Sequence, residues 1–513
     1  MDYRWLYIAQ NLQVKENVTK VVALLKRAKA ADYNGVVLAD YKLGILDRVP
    51  DFYFPQLSEV RDAARSLGMG LYPTVCSCGY DDALLAHDPN LAEGLPVRGA
   101  IFTVKGTEAD IESENLLGGD KWTFRDTSTI EPDGGIRFTN LNGANGRVMR
   151  TITLAPYRQL HLSLKIKTDK WEGGELRCTV LGEGNNPRSL CHNNWHVNAT
   201  QDYTEYHAVF NTLESGKVNV YIGCWGGNKG TYWLKDIDLR EVGFLNVVRR
   251  AGCPLRVVSE SGMPYEEGRD FQPVKDERLG TVPWPGNYEV WHAPPKLKLT
   301  PNSRIKDGDK LRVGFYHAVC VYDGQVAASL VDDAVFAIHK DTLGRVQKAL
   351  NPPGFFLSHD ELRVANWSED CQKRGVPAGK LLAEHAARCA KLAKAANPKA
   401  DLLFWSDMFD PYHNAKDNYY LVRGTLAGSW EGLPKDALIM NWNSGQAKES
   451  LAFFAGRGHR QILAGYYDGA PDSIKGWLAT AKSLGGAKVV GTMYTTWRGD
   501  YNNLEAFAKA AWG

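Results

Sequence analysis

The sequence contains no stretch approaching the ~20 apolar residues that a membrane-spanning helix needs. It also lacks a charge bias: 61 Lys and Arg against 59 Asp and Glu leave a net charge of +2. That balance gives no electrostatic reason to expect nucleic acid or an anionic membrane as partner. Cofactor signatures are missing too. There is no phosphate-binding loop, no dinucleotide-type Gly-rich turn after a strand, no H-E-x-x-H and no G-x-S-x-G elbow. Their absence fits chemistry by acid and base side chains alone, with no cofactor. Nine cysteines are scattered, an odd number that cannot all pair within one chain. Cys76 and Cys78 form a C-x-C with no second pair at zinc-ligand spacing, so no metal is expected and the cysteines read as small apolar side chains with room for one disulfide. The chain opens Met1-Asp2-Tyr3-Arg4 and enters a strand at once. That start fits a mature extracellular or periplasmic protein behind an added Met, and equally a cytoplasmic one.

Aromatics are plentiful, with 15 Trp and 23 Tyr. Their faces stack on the apolar faces of sugar rings as readily as they fill cores. At 513 residues the chain is also too long for one ordinary core.

The first hundred residues alternate strand and helix. Trp5–Ala9, Gly35–Asp40 and Gly70–Val75 read as short buried strands, and 14–31 and 56–67 carry apolar residues at helical spacing. Such alternation predicts parallel strands with helices packed outside. From about Gly106 to Glu241 helical periodicity disappears and short alternating runs are separated by turns such as Asn142-Gly143 and Gly226-Gly227. This is the pattern of an antiparallel β-sandwich or jelly roll. Its closing strand, Tyr232 to Leu239, resembles that of carbohydrate-binding modules. Trp122, Trp171, Trp195 and Trp225 are its candidate stacking platforms. A Pro- and Gly-rich stretch, 242–309, reads as a small β-rich segment or linker. From Lys310 the alternation resumes with strands at Leu311–Ala318, Gly354–His359, Leu402–Ser406, Ala437–Asn441, Gln461–Tyr467 and Val489–Thr495.

The expected architecture is therefore α/β: a (β/α)8 TIM-type barrel in two parts, 1–105 and 310–513, with a jelly-roll sandwich at 106–241 inserted. Nine strands are one too many for that barrel. The surplus should be Gly70–Val75 or Leu311–Ala318, which flank the insertion.

The strongest chemical signal is Gly354-Phe355-Phe356-Leu357-Ser358-His359-Asp360-Glu361, an apolar strand closing in polar groups where such barrels carry their chemistry. Neighbours on a strand point to opposite faces, so Asp360 and Glu361 are poorly placed to bracket one glycosidic bond as a conventional pair. They suit another division of labour. Glu361 would protonate the leaving oxygen, with a raised pKa, while Asp360 orients a 2-acetamido nucleophile belonging to the substrate. The other strand ends offer Asp407, Asp468, Asp40 and His317 as sugar-binding groups. Asp407 or Asp468 would be the nucleophile of a conventional retaining enzyme.

This Asp-Glu strand end, followed by strand ends rich in Trp and Tyr, resembles the family 20 and family 123 β-N-acetylhexosaminidases over roughly Gly354 to Trp512. Phe404-Trp405-Ser406-Asp407, Asn441-Trp442-Asn443, Gly465-Tyr466-Tyr467-Asp468 and Thr495-Thr496-Trp497 look like its later strand ends. The resemblance implies Glu361 as acid/base and Asp360 as the polarising residue. It further implies an acetamido pocket walled by Trp405, Trp442 and Trp497, with Tyr466 or Tyr467 bonded to the acetamido group. His359, next to Asp360 in the chain, is a further substrate-binding candidate read from its place at the strand end. The Ser358-His359 lead and the long insertion depart from the family 20 pattern. The expected partner is an oligo- or polysaccharide. A glycan-binding protein without catalysis is the reading from another class.

Overall fold

The structure, a computed structural model, describes residues 1–118, 121–281, 288–322 and 324–513. The chain divides into two compact units, Met1–Asp88 with Ala327–Asn366 and Arg374–Gly513, and Pro89–Val326 with Trp367–Lys373.

The first unit is a closed, eight-stranded barrel. Its strands are β1 (Tyr3–Ala9), β2 (Gly35–Ala39), β3 (Gly70–Val75), β4 (Gly354–Leu357), β5 (Asp401–Trp405), β6 (Leu438–Asn441), β7 (Arg460–Tyr466) and β8 (Val489–Thr495). All neighbours pair parallel, and β8 closes on β1 through Tyr3↔Gly491 to Leu6↔Tyr494. The long helices are α1 (Lys15–Ala30), α2 (Tyr53–Ser66), α3 (Asp333–Leu350), α4 (Ala378–Ala396), α5 (Ala447–Gly456), α6 (Ile474–Ser483) and α7 (Leu504–Ala511). The connection from β5 to β6 carries 3₁₀ turns at Asp407–Phe409 and Ser429–Gly432 in place of an α-helix.

Residues two apart on a strand share a face, so Trp5 and Tyr7, Leu403 and Trp405, Leu438 and Met440, and Ile462 and Ala464 fill the barrel together. At its floor, Trp5 packs on Tyr72 with ring centroids 4.3 Å apart. Gly35 makes room for that indole, because a Cβ there would lie 2.3 Å from Trp5 Nε1. No described helix is long and apolar enough to cross a membrane.

The second unit holds three antiparallel sheets. Two are five-stranded. One contains Gln201–Asn211, Gln159–Asp169 and Thr231–Glu241, and the other Ser189–Trp195, Leu176–Leu181, Lys217–Cys224 and Gly146–Thr153. Trp171 and Trp195 are buried, so neither is a stacking platform, whereas Trp122 and Trp225 stay partly exposed.

The third sheet decides between two pairs of alternatives. Lys310–His317 is the surplus strand: it pairs antiparallel with Leu95–Lys105, and Gly70–Val75 takes the barrel position instead. Every residue of β4 is buried, as a barrel enclosed by helices requires, but Lys310–His317 begins with alternating exposed and buried positions. Nor is 242–309 a linker. Arg256–Ser259, Pro264–Tyr265 and Leu297–Lys298 extend that sheet to six strands around Phe102, Phe244, Phe271 and Phe315. The barrel unit accordingly breaks at Asp88 and resumes at Ala327, not at 105 and 310.

Candidate active site

The carboxyl ends of the barrel strands surround a cavity of about 650 Å³. Its lining includes Tyr7, Tyr80, Asp360, Glu361, Trp405, Trp442, Tyr467 and Trp497. The backbone there is bent out of regular geometry. Cys76, His359, Glu361, Tyr466, Tyr467 and Asp468 all have φ between +49° and +69° or, for Glu361, +45°. Each such non-glycine residue costs about 1 kcal/mol or more, and this kind of strain collects where side chains must be aimed. Gly79 (φ +110°) lets the loop after β3 approach the Asp-Glu turn. A Cβ there would sit 1.9 Å from the Asp360 carbonyl oxygen, and Asp360 N donates to Cys78 O at 2.9 Å.

The sequence-singled carboxylates fall into distinct settings. Asp407 is fully buried, and its Oδ2 accepts from Glu361 N at 2.9 Å and Asn414 Nδ2 at 3.0 Å. Its Oδ1 accepts from Trp442 Nε1 at 3.3 Å. Burial, with the Glu361 charge adding to it, pushes Asp407 up to about 7 despite those bonds. Asp360 hydrogen-bonds to Asp407, and burial, Asp407 and Glu361 drive its carboxyl well above the usual range. Three carboxyls this close in a poorly solvated pocket cannot all ionise, and a proton stays on the Asp360–Asp407 pair. The raised acid expected from the sequence therefore falls on that pair. Glu361 accepts from Tyr80 OH at 2.6 Å and pairs with Arg363 Nη2 at 2.6 Å.

Aromatic rings form the rest of the wall. Trp442 and Tyr467 stack with centroids 5.6 Å apart and planes 8° from parallel. Trp497, about half exposed, meets Tyr467 edge-on at 5.7 Å and Tyr7 at 5.3 Å, and stands 6.0 Å from Trp405. Burial and the nearby Asp360 raise the phenols of both Tyr7 and Tyr467.

Other expected site residues take different roles. Asp468 does not line the cavity; it accepts from Thr496 Oγ1 and from Trp497 N at 2.8 Å, so it braces the loop that carries Trp497. Tyr466 turns outward of the lining, stacks on Tyr494 and donates to Asp500 Oδ2 at 3.1 Å. Asp40 borders the cavity, but its oxygens are taken by Leu12 N, Lys42 N and Tyr53 OH. His359 is fully buried, bonded to Leu357 O and His385, and touches no cavity space. His317 belongs to the second unit, buried between Asn211 and Ala318 O, with its imidazole pushed down to about 4 by burial. A polar residue at a strand's end is as well suited to closing the turn as to facing a ligand, and these five close turns or fill cores.

Sequence reasoning missed Tyr7, Tyr80 and Arg363. Arg363 had a signal, since a cation two residues after Glu361 falls beside it when the intervening turn is tight. Tyr80 lies in a loop with no regular pattern and carried none.

No protein-family model matches the chain, and no curated protein matches it. Solved structures that are similar include a glycoside hydrolase family 20 β-N-acetylglucosaminidase, at 10% identity and a TM-score of 0.40, covering 100% of this chain and 69% of that one. A rhamnosidase from Novosphingobium sp. PP1Y is similar at 9% identity and a TM-score of 0.33, over 96% of this chain and 55% of that one, so the chain spans about half the rhamnosidase's length. A family 16 carbohydrate-binding module is similar at 13% identity and a TM-score of 0.19, over 24% of this chain and 92% of that one. The barrel and the antiparallel sheets stand on their own hydrogen bonding.

Proposed function

We propose that the barrel is a glycoside hydrolase acting on β-linked sugars, with Glu361 as general acid/base and Asp360 assisting, on substrates whose own 2-acetamido oxygen attacks the anomeric carbon. The observation that carries this reading is the placing of Asp360 and Glu361 together on a cavity walled by Trp405, Trp442, Tyr467 and Trp497. An acetamido group has a flat apolar face and a methyl for such a box, and its N–H or oxygen finds Asp360. The two other candidates for a nucleophile support it by elimination. Both Asp407 oxygens are engaged within the protein, and Asp468 is turned to the Trp497 loop. Trp122 and Trp225 give the sandwich surfaces on which it could hold glycan in an accessory role.

In the cycle, Glu361 leaves Arg363 and Tyr80, takes a proton from solvent as substrate binds, and gives it to the leaving oxygen as the acetamido oxygen closes on the anomeric carbon. It then deprotonates the water that opens the resulting ring, which returns the β configuration. Asp360, passing its proton to Asp407, holds the acetamido N–H as a carboxylate.

The test is hydrolysis of aryl β-N-acetylglucosaminide and β-N-acetylgalactosaminide beside the plain glucoside, galactoside and xyloside, with Glu361→Gln and Asp360→Asn in parallel. Turnover confined to 2-acetamido sugars is expected, with a loss of ~10²–10⁴-fold in Glu361→Gln. Turnover of plain glycosides would refute assistance by the substrate, and near-full activity of Glu361→Gln would refute the assignment of the acid.

A further inference from the structure

Behind the Asp360 strand end, where α3 and α4 meet the wall of the cavity that Cys76 and His339 help to line, lies a cluster of imidazoles and thiols that the proposed chemistry does not use. His339 comes from α3, and His385 and Cys389 from one face of α4, four residues apart. All three are buried, and their donor atoms lie within 4.8 Å of one another. Cys389 Sγ is 3.8 Å from His385 Nδ1 and 4.0 Å from Nε2. The Cys76 thiol, at the end of β3, bonds to Cys389.

The hydrogen bonds fix the tautomers. A carbonyl only accepts, so His359 donates Nδ1–H to Leu357 O at 2.8 Å and presents its Nε2 lone pair. His385 Nδ1 stands 3.1 Å from that lone pair and donates to it, which leaves His385 Nε2 as an acceptor with Cys389 Sγ at 4.0 Å. Desolvation and the neighbouring His359 and His339 keep His385 neutral. His339 is only 3% exposed, and its Nε2 has no hydrogen-bond partner. An apolar core would be cheaper in this place, because each buried imidazole nitrogen without a partner costs about 1–3 kcal/mol. One ion would satisfy these donors together.

We propose that His339 Nε2, His385 Nε2 and the Cys389 thiolate bind a single Zn²⁺ ion, with the Cys76 thiolate in the fourth position. Two nitrogens and two sulfurs suit a borderline-soft, tetrahedral d¹⁰ ion. Bond lengths of about 2.0 Å to nitrogen and 2.3 Å to sulfur space the donors about 3.3–3.7 Å apart, a contraction that side-chain rotation supplies. Binding releases the two thiol protons to solvent. His359 then acts from outside the coordination sphere, orienting His385 as such partners do, and links the ion to the residue next to Asp360.

The full-length protein, purified without chelator, is mixed with equimolar Zn²⁺ or Co²⁺ and desalted. Metal content and the cobalt absorption spectrum are then read. The expected result is one metal retained per chain, with thiolate-to-cobalt charge transfer and the intense bands of tetrahedral cobalt. Cys389→Ser and His339→Leu lose retention, while Cys178→Ser, in the sandwich, keeps it. The wild-type cobalt spectrum needs no variant, so it decides even where a substitution impairs folding. Failure to retain metal, a cobalt spectrum without a thiolate band, or a band that persists in both Cys389→Ser and His339→Leu overturns the site. None of these readings depends on activity, so the metal site and the glycosidase reading fail separately.

Discussion

Asp407→Asn should change sign in its effect on stability as pH rises. Burial lifts the Asp407 carboxyl from 3.8 to about 7, with the Glu361 charge adding to it. Over that window the folded barrel holds a proton that the unfolded chain releases. Stability is therefore greatest below about pH 4, falls as pH rises towards 7, and levels off above it. The drop is on the order of 4 kcal/mol at about 1.36 kcal/mol per pH unit, and it is shared with Asp360, to which the group is bonded. Asparagine keeps an oxygen to accept from Glu361 N and Asn414 Nδ2, but its amide faces Trp442 Nε1 where Oδ1 accepted. That exchange costs about 1–2 kcal/mol at every pH. The variant should thus be less stable than wild type by that amount near pH 4. Above pH 7 it should be more stable by about 2 kcal/mol, because it carries no buried charge. Hydrogen exchange of peptides from β5 and β6, measured along a urea series at both pH values, reads the barrel separately from the second unit. A variant destabilised equally at both pH values would refute the burial of a titrating carboxyl at 407.

Three further outcomes follow from the same geometry. Asp468→Ala frees the Trp497 loop and should raise KM about tenfold with kcat within a few-fold of wild type, whereas a nucleophile's removal would collapse kcat; steady-state kinetics on an aryl substrate separate the two. Trp442→Phe keeps a ring against Tyr467 but loses the bond to Asp407, so a cost of about 1 kcal/mol and a modest rise in KM are expected by urea titration and kinetics. In the second unit, Glu93 accepts from Trp367 N, Ser368 N and Ser368 Oγ while fully buried; Glu93→Ala should cost about 3 kcal/mol there and leave exchange of the barrel strands unchanged.

The barrel was legible where period and burial agree. β4, Gly-Phe-Phe-Leu, can only be a strand buried on both faces, and α4 follows both the helical spacing and the propensity of its Ala and Leu residues. In the sequence Lys310–His317 and Gly70–Val75 stand as alternatives for the surplus strand, because an alternating strand and a buried one look alike when Leu, Val and Phe hold the alternate positions. What separates them is pairing with Leu95–Lys105, more than 200 residues away in sequence, which no local window contains. The site divides in the same way. Asp360, Glu361, Trp405, Trp442 and Trp497 each stand at a strand's end and line the cavity, and position along the strand sufficed for them. His359, Tyr466 and Asp468 stand at strand ends too, but left-handed turns rotate them away, and no composition rule announces a positive φ at a histidine or tyrosine.

Those turns explain why the Asp-Glu pair works as neighbours. On a regular strand Asp360 and Glu361 would face opposite sides, one into the barrel and one into the helices. With His359 at φ +56° and Glu361 at +45°, the chain reverses that alternation and both carboxyls reach the same cavity. The strain needs something to hold it. Gly79 admits the neighbouring loop, Asp407 accepts the Glu361 N–H, and His385 fixes His359. Asp407 thus serves two ends at once, since the carboxylate that fastens the turn also keeps a proton beside Asp360. A substitution at 407 should therefore disturb the geometry of Glu361 and the protonation of Asp360 together, and substitutions at 360 and 407 should not be additive.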